Sequence, residues 1–454
     1  MLQQFYSRLP IPLQHACATA QGARYYLWRY GGVFLGYLEE LKRTEYLPAD
    51  ELRELQTAGL NRLLLFACTH VRHYRKHGHA AFTIKDQIRE RPQDFIADTF
   101  PRRALIPWHT SGTTGTPLTI YYSREAMQKM WAFVELYRNT ARVTKDDRRG
   151  QFTGKMIVPP NQAASKKIFW RRDAANHALL FSTVHLLPGN LAFYAAALER
   201  FQPVYLSGYP SSMYVLAEYY RHAGLPAPRL KAALTSAETL LDHQRCAIEE
   251  VFATRVFDQY GQGEMQSFWY ACEAGRMHAH PLAGVTEILR PDGTPAPPGE
   301  MGEVVLTGLV NYAMPLIRYR VGDTARFAAG PCTCGRGMPV IEEIGGRLDD
   351  FVYTRERGFL GRLDPVLKGV RNIVESQIEQ ETLDMLRVRF VPAAHFTAED
   401  LQTLEYNLRA HVGRSIHLEF ECTDRIPRSA NGKFRFVISR LDRNAPKSCA
   451  SSRG

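Results

Sequence analysis

Three times between residues 118 and 252 a short apolar run of strand composition gives way to a stretch with helical spacing. LTIYYS precedes a helix starting at Arg124, PVYLSGY precedes SSMYVLAEYYRHAG, and LKAALTS precedes AETLLDHQRCAIEEVF. A fourth such run, RVFDQYG, follows. This alternation, extending over residues 103–345, suggests α/β layers. Residues 1–80 read mainly as helices, with ADELRELQTAGLNRLLLFACTHV spacing its apolar residues on one helical face. GVTEILRPDGTPAPPGEMGEVVLTGLV reads as a β-rich segment, with DG and PPGE as turns. Beyond GGRLDD comes a smaller α+β unit: a strand RVRFVP, a helix AEDLQTLEYNLRAHVG and a strand HLEFECTDRIP. A chain of 454 residues exceeds what one core usually supports. The expected division is therefore 1–348 for a large domain, 349–441 for a small one, and 442–454 for a disordered tail without periodicity.

Hydrophobic residues make up 45% of the chain and charged residues 23%, the balance of a folded soluble protein. No run of about 18 uninterrupted apolar residues occurs, and MLQQFYSRLPIPLQHACA lacks the charged and apolar regions of a leader, so no transmembrane segment and a cytoplasmic location are expected. The net charge of +11 is dispersed. Its densest cluster, SKKIFWRRD, reads as a solvated loop, and no nucleic-acid-binding module accompanies it. Eight cysteines at 17, 68, 246, 272, 332, 334, 422 and 449 are too few and too scattered for a disulfide framework.

WHTSGTTGTPLTIYYS sets a Ser/Thr/Gly run against a strand. Glycines let backbone approach a ligand, and successive N–H groups with small hydroxyls form a concave anion site. The same composition also suits a plain surface loop, and no Walker GK[ST] follows. Its companions decide between the two. TSGTTGTP (110–117), TSAETL (235–240), DQYGQGEM (258–265), RYRVGD (318–323), GRLDD (346–350) and PRSANGKFR (427–435) occur in that order. The series resembles the adenylate-forming superfamily of acyl-CoA synthetases, most closely its phenylacetate-CoA ligase-like branch. GYPSSMYVLA (208–217), NIVESQIEQ (372–380) and the lysine of NGKFRFVISRL resemble the capsular-polysaccharide-biosynthesis, CapK-type proteins within that branch.

The resemblance implies a large adenylate-forming domain with a β-rich subdomain and a small mobile C-terminal domain. It also implies a role for each motif. Ser111, Gly112, Thr113, Thr114, Gly115 and Thr116 would wrap the ATP phosphates and release pyrophosphate. Ser236, Ala237 and Glu238, with Asp258, Gln259, Tyr260 and Gly261, would line the adenine site, Tyr260 stacking on the ring. Glu264 would help to hold Mg²⁺, a hard cation that prefers oxygen. Asp323 would accept the ribose hydroxyls, Arg347 would face phosphate, and Asp349 would be the hinge between domains. Lys433 would neutralise charge at the carboxylate and α-phosphate. The chain departs from the pattern twice: Gly263 stands where relatives carry Thr, and Leu118–Thr119 where many carry Lys-Gly.

ACEAGRMHAH supplies Cys272 and His278, and PCTCGRGMP supplies Cys332 and Cys334, a sufficient set for a structural zinc. Some relatives carry such a site in comparable positions, and His280 is the substitute ligand here. The expected activity is ATP-dependent activation of a small carboxylic acid as an acyl-adenylate and its transfer to a thiol, CoA foremost. An amine or sugar acceptor and a non-catalytic nucleotide binder are the alternatives, and a homodimer is compatible with either. Trp131, Tyr137, Tyr209 and Trp269 are candidates for the acyl pocket, although such aromatics more often serve the core.

Overall fold

The computed structural model describes residues 6–109, 118–153, 157–159, 166–347, 352–356, 358–360, 363–367, 370, 372–428 and 433–441. The chain divides into two compact units, one of Met1–Ile344 with Ser429–Lys433, the other of Gly345–Arg428 with Phe434–Gly454.

In the large unit, β1 (Ile106–His109) and β2 (Thr119–Tyr122) form an antiparallel pair. A twelve-stranded sheet follows in the chain. Its strands are β3 (Arg149–Thr153), β4 (Trp170–Asp173), β5 (Ala178–Ser182), β6 (Tyr205–Gly208), β7 (Ala232–Ser236), β8 (Val256–Tyr260), β9 (Trp269–Ala271), β10 (Met277–Ala279), β11 (Gly284–Leu289), β12 (Gly302–Gly308), β13 (Tyr319–Phe327) and β14 (Val340–Arg347). They lie in the order β11-β12-β13-β14-β10-β9-β8-β7-β6-β3-β5-β4. The run β5-β3-β6-β7-β8 is parallel. Its strands are joined by helices such as Leu191–Phe201, Pro210–Ala223 and Asp242–Val251, as expected from a strand–helix alternation. The β-rich segment forms the hairpin β11–β12.

Helix Arg124–Thr140 shows how local chemistry sets these elements. The Ser123 side chain accepts from the Ala126 N–H at 3.0 Å as an N-cap. Met127, Met130, Phe133, Leu136 and Tyr137 then recur at helical spacing and are buried. The segment AETLLDHQRCAIEEVF folds differently from its sequence expectation. The helix starts only at Asp242, because Ala237 adopts a left-handed φ of 71° and Leu241 is extended. Residues 237–241 are thereby released as a loop at the end of β7.

The small unit pairs β15 (Val352–Thr354) with β16 (Gly358–Leu360). Its main sheet runs β19 (His417–Cys422), β18 (Met385–Pro392), β17 (Ile373–Thr382), β20 (Val437–Ser439). Helix Ala398–Val412 starts at a capping box of Thr397 and Asp400 and buries Leu404, Leu408 and Val412 among the apolar residues of that sheet. No described helix is long and apolar enough to cross a membrane.

Candidate active site and metal cluster

In an open α/β sheet, ligands collect at the carboxyl ends of the parallel strands. Two of the expected nucleotide-site segments sit there: β7 ends at Ser236 and β8 at Tyr260, paired Ser236 with Gln259. Asp258 accepts from the Thr235 hydroxyl at 2.6 Å. Burial pushes its carboxyl up to about 6, against the opposing pull of the Thr235 hydroxyl and Arg245. Glu238, on the released loop, accepts the Ser211 N–H at 3.3 Å and so places its charge at the N-terminus of helix Pro210–Ala223.

The two acidic residues expected to handle metal and ribose are each held by a phenol. Tyr260 donates to Asp323 at 2.6 Å, and Tyr319 donates to Glu264 at 2.8 Å. Glu264 is 5% exposed and Tyr319 fully buried. Burial, and then the charge of Asp323, hold the Tyr260 phenol far above its usual range, so it stays a donor. The Tyr260 ring stacks on Trp269 with centroids 4.3 Å apart. Tyr122, at the end of β2, donates to the Gly263 carbonyl at 2.7 Å. The strand leaving the Ser/Thr/Gly segment is thus tied to the turn that bears Glu264. Within that turn Met265 adopts a left-handed φ of 52°.

Ser111, Gly112, Thr113, Thr114, Gly115, Thr116 and Asp349 lie outside the described residues. Arg347 is the last residue of β14, Gly261 is exposed coil after β8, and Lys433 is half-buried coil. Of the pocket candidates, Tyr209 precedes helix Pro210–Ala223, and Trp269 is the partner of Tyr260. Trp131 packs beneath the Arg29 guanidinium at 3.9 Å, and Tyr137 donates to the Phe257 carbonyl in the interior. Both belong to the core. Tyr122 and Tyr319 were not singled out by sequence reasoning, although Tyr319 lies within RYRVGD.

Cys272, His278, Cys332 and Cys334 converge, with their ligand atoms all within 4.8 Å of one another. Cys272 leaves β9, His278 is central to β10, and the antiparallel pairing of the two strands brings them close together. The Cys272 and Cys332 sulfurs are 3.7 Å apart, and Cys334 Sγ is 3.4 Å from His278 Nε2. A tetrahedral zinc with its usual bond lengths would set such pairs about 3.8 and 3.5 Å apart. His278 Nδ1 faces the Met338 carbonyl at 3.3 Å, which leaves Nε2 toward the cluster, and burial pushes the imidazole down to about 4 and so neutral. Burial drives the Cys272 thiol up to about 12, a cost that a bound cation would reverse. His280 stands apart, its ring against Phe133 at 4.8 Å. Arg336, hidden in CTCGRGMP, is 3% exposed and pairs with both Glu45 and Glu273, joining the second Cys turn to the helix Phe34–Thr44 region and to the residue after Cys272.

The CapK C-terminal domain family matches residues 352–440. Protein CapK of Staphylococcus aureus is 27% identical over 97% of this chain and 100% of its own length. A phenylacetate-coenzyme A ligase of Thermus thermophilus is 25% identical over 87% of this chain and 98% of its own. The crystal structure of a 2-hydroxyisobutyryl-CoA ligase in the postadenylation state superposes with a TM-score of 0.69 at 21% identity, covering 88% of this chain and 92% of that one. The chain thus carries a CapK C-terminal domain, is homologous to CapK and to phenylacetate-coenzyme A ligases, and has the fold of the adenylate-forming ligases.

Proposed function

We propose that the chain is an AMP-forming ligase that activates a carboxylic acid as an acyl-adenylate and passes the acyl group to a thiol, with CoA as acceptor. The observation that carries this reading is the convergence of Glu264 and Asp323, from separate segments, at one phenol-braced site. A substrate carboxylate oxygen attacks the ATP α-phosphorus and pyrophosphate leaves; the thiolate then attacks the acyl carbonyl, the C–O bond breaks and AMP departs.

In this reading Asp323 accepts the ribose hydroxyls, and Ser236, Ala237, Glu238, Gln259, Tyr260 and Gly261 border the adenine, with Asp258 fixing the base of the site. Ser111 to Thr116 offer backbone N–H groups and hydroxyls to the phosphates, which suits a charge that develops on the departing pyrophosphate. Arg347 faces phosphate. Lys433 neutralises the approach of two anions during adenylation, and rotation about Asp349 withdraws it before thiolysis. Magnesium, when bound, offsets phosphate charge, and Glu264 is the carboxylate suited to hold it. Cys272, His278, Cys332 and Cys334 would hold a zinc ion, and its role would be structural, since four protein ligands leave no position for a reacting water.

A second reading, transfer to an amine or a sugar hydroxyl, is the one implied by the resemblance to capsular-polysaccharide-biosynthesis proteins. One assay separates the two: pyrophosphate release across a panel of acids, with and without CoA. Acid-dependent release that turns over only with CoA, and yields a thioester, supports the first reading. A single burst that CoA does not extend but an amine or sugar does supports the second. No acid-dependent release contradicts both.

A further inference from the structure

Tyr260 closes β8 and Glu264 follows four residues later; Tyr319 opens β13 and Asp323 follows four residues later. Each segment therefore contributes one phenol and one carboxylate, and each phenol donates to the other segment's carboxylate. The two strands are not neighbours. In the hydrogen-bonding order β13-β14-β10-β9-β8, three strands separate them, and a flat sheet would hold them about 19 Å apart. The sheet must curl for the contacts of 2.6 and 2.8 Å to form. No backbone ladder between β8 and β13 sets their register among the described residues.

The side chains do so instead. Tyr319 occupies Oε1 of Glu264 with a charge-assisted hydrogen bond in a buried setting, which orients Oε2. The turn beneath is fixed independently: Tyr122 holds the Gly263 carbonyl, and the Gln266 side-chain amide donates to the Glu264 carbonyl while its oxygen accepts the Gly308 N–H. Removing either phenol hydroxyl would therefore take one hydrogen bond from one carboxylate and leave the Tyr122 and Gln266 contacts of the turn in place.

We infer that Tyr319 and Tyr260 are reciprocal positioning residues that set the spacing between Glu264 and Asp323, so that a nucleoside triphosphate with its divalent cation must satisfy both carboxylates at once. This rests on the adenylation reading above. The two phenols act on different parts of the ligand. Tyr319 governs the cation–phosphate end through Glu264, and Tyr260 governs the nucleoside end through Asp323.

The test is calorimetric titration of the full chain with ATP and with AMP, each in Mg²⁺ and in EDTA, beside thermal unfolding. Tyr319→Phe should weaken ATP binding in Mg²⁺ by about tenfold, the scale of a hydrogen bond to a charged group, while AMP binding in EDTA stays at the wild-type value. Tyr260→Phe should weaken AMP and ATP alike, with or without the cation. The double variant should lose less than the product of the two single losses, because both phenols set one spacing. Glu264→Gln keeps an acceptor for Tyr319 and removes the charge; it should reproduce the Mg²⁺-specific loss, and it serves if a phenylalanine variant does not fold. Equal losses in Mg²⁺ and EDTA for Tyr319→Phe, or wild-type binding by both single variants, overturn the inference. If the wild type binds nucleotide but no acid elicits pyrophosphate release, the ligase reading fails while these titrations still decide the role of the phenols. A wild type that binds no nucleotide overturns both.

Discussion

The Cys/His cluster and the phenol–carboxylate site both draw on β9, one through Cys272 at its end and the other through Trp269 at its start, yet they are held together in opposite ways. Each half of the cluster is a short turn closed by its own backbone. Gly275 donates to the Cys272 carbonyl and Gly335 to that of Cys332, both glycines at left-handed φ that a side chain would resist. At the other site one left-handed position is a glycine, Gly322, but three more fall on Ala237, Met265 and Arg318, which pay for that conformation in strain. Its carboxylates each accept from a phenol on the other strand, and no ladder joins those two strands among the described residues. Two halves that are each closed locally suit a closed structural centre. A set held from a distance, with strain in its turns, suits a place that must receive a ligand.

The largest expected effect separates the two at once. Lys433→Ala should lower acyl-adenylate formation by about 10²- to 10³-fold, the scale for losing one preorganised charge-stabilising donor. Thioester formation from supplied acyl-adenylate and the metal content should stay as they are; single-turnover measurement of each half-reaction checks this. Next comes Cys332→Ser. Elemental analysis should fall from about one zinc per chain to none, and the unfolding midpoint should drop by about 5–10 °C, with nucleotide affinity changing far less. A variant that kept its metal and lost nucleotide binding would erase the distinction between a closed and an open site.

A smaller effect is expected at Asp258. Its folded value of about 6 lies above the unfolded value near 4, so the folded state binds the proton more tightly. The stability it contributes is fully present below about pH 4 and is lost as pH rises through about 6. Asp258→Asn removes that ionisation. Its stability relative to wild type should therefore rise between about pH 4 and pH 7.5 in urea titrations, and a constant difference would contradict the burial cost. The smallest effect is at Glu238. Glu238→Gln removes a negative charge from the N-terminus of helix Pro210–Ala223 and should cost about 0.3–1 kcal/mol, reduced by added salt.

What sequence could reveal follows the same contrast. The four cluster residues were legible because each pair lies within a few positions and cysteines are otherwise scattered. The strand–helix alternation was legible because each unit carries its own periodicity, although the helix after β7 was read as starting five residues too early, where Ala237 departs from helical φ. The pairing of Tyr319 with Glu264 was not legible: it depends on a curl of the sheet across three intervening strands, and nothing local encodes that. Arg336 was hidden for another reason, since an arginine between cysteine and methionine reads as surface until Glu45 and Glu273 are seen around it. Trp131 and Tyr137 carried no local sign that they serve the core rather than a pocket.

The most direct measurement follows oxygen. The acid that gives the greatest pyrophosphate release is labelled with ¹⁸O in its carboxylate, and the purified chain is given ATP, Mg²⁺ and CoA. If the carboxylate attacks the α-phosphorus, the C–O bond broken by the thiol leaves one labelled oxygen on AMP, and mass spectrometry finds the label there in step with thioester. Label in inorganic phosphate beside ADP, or unlabelled AMP beside labelled acid alone, would contradict an acyl-adenylate intermediate and with it the proposed function.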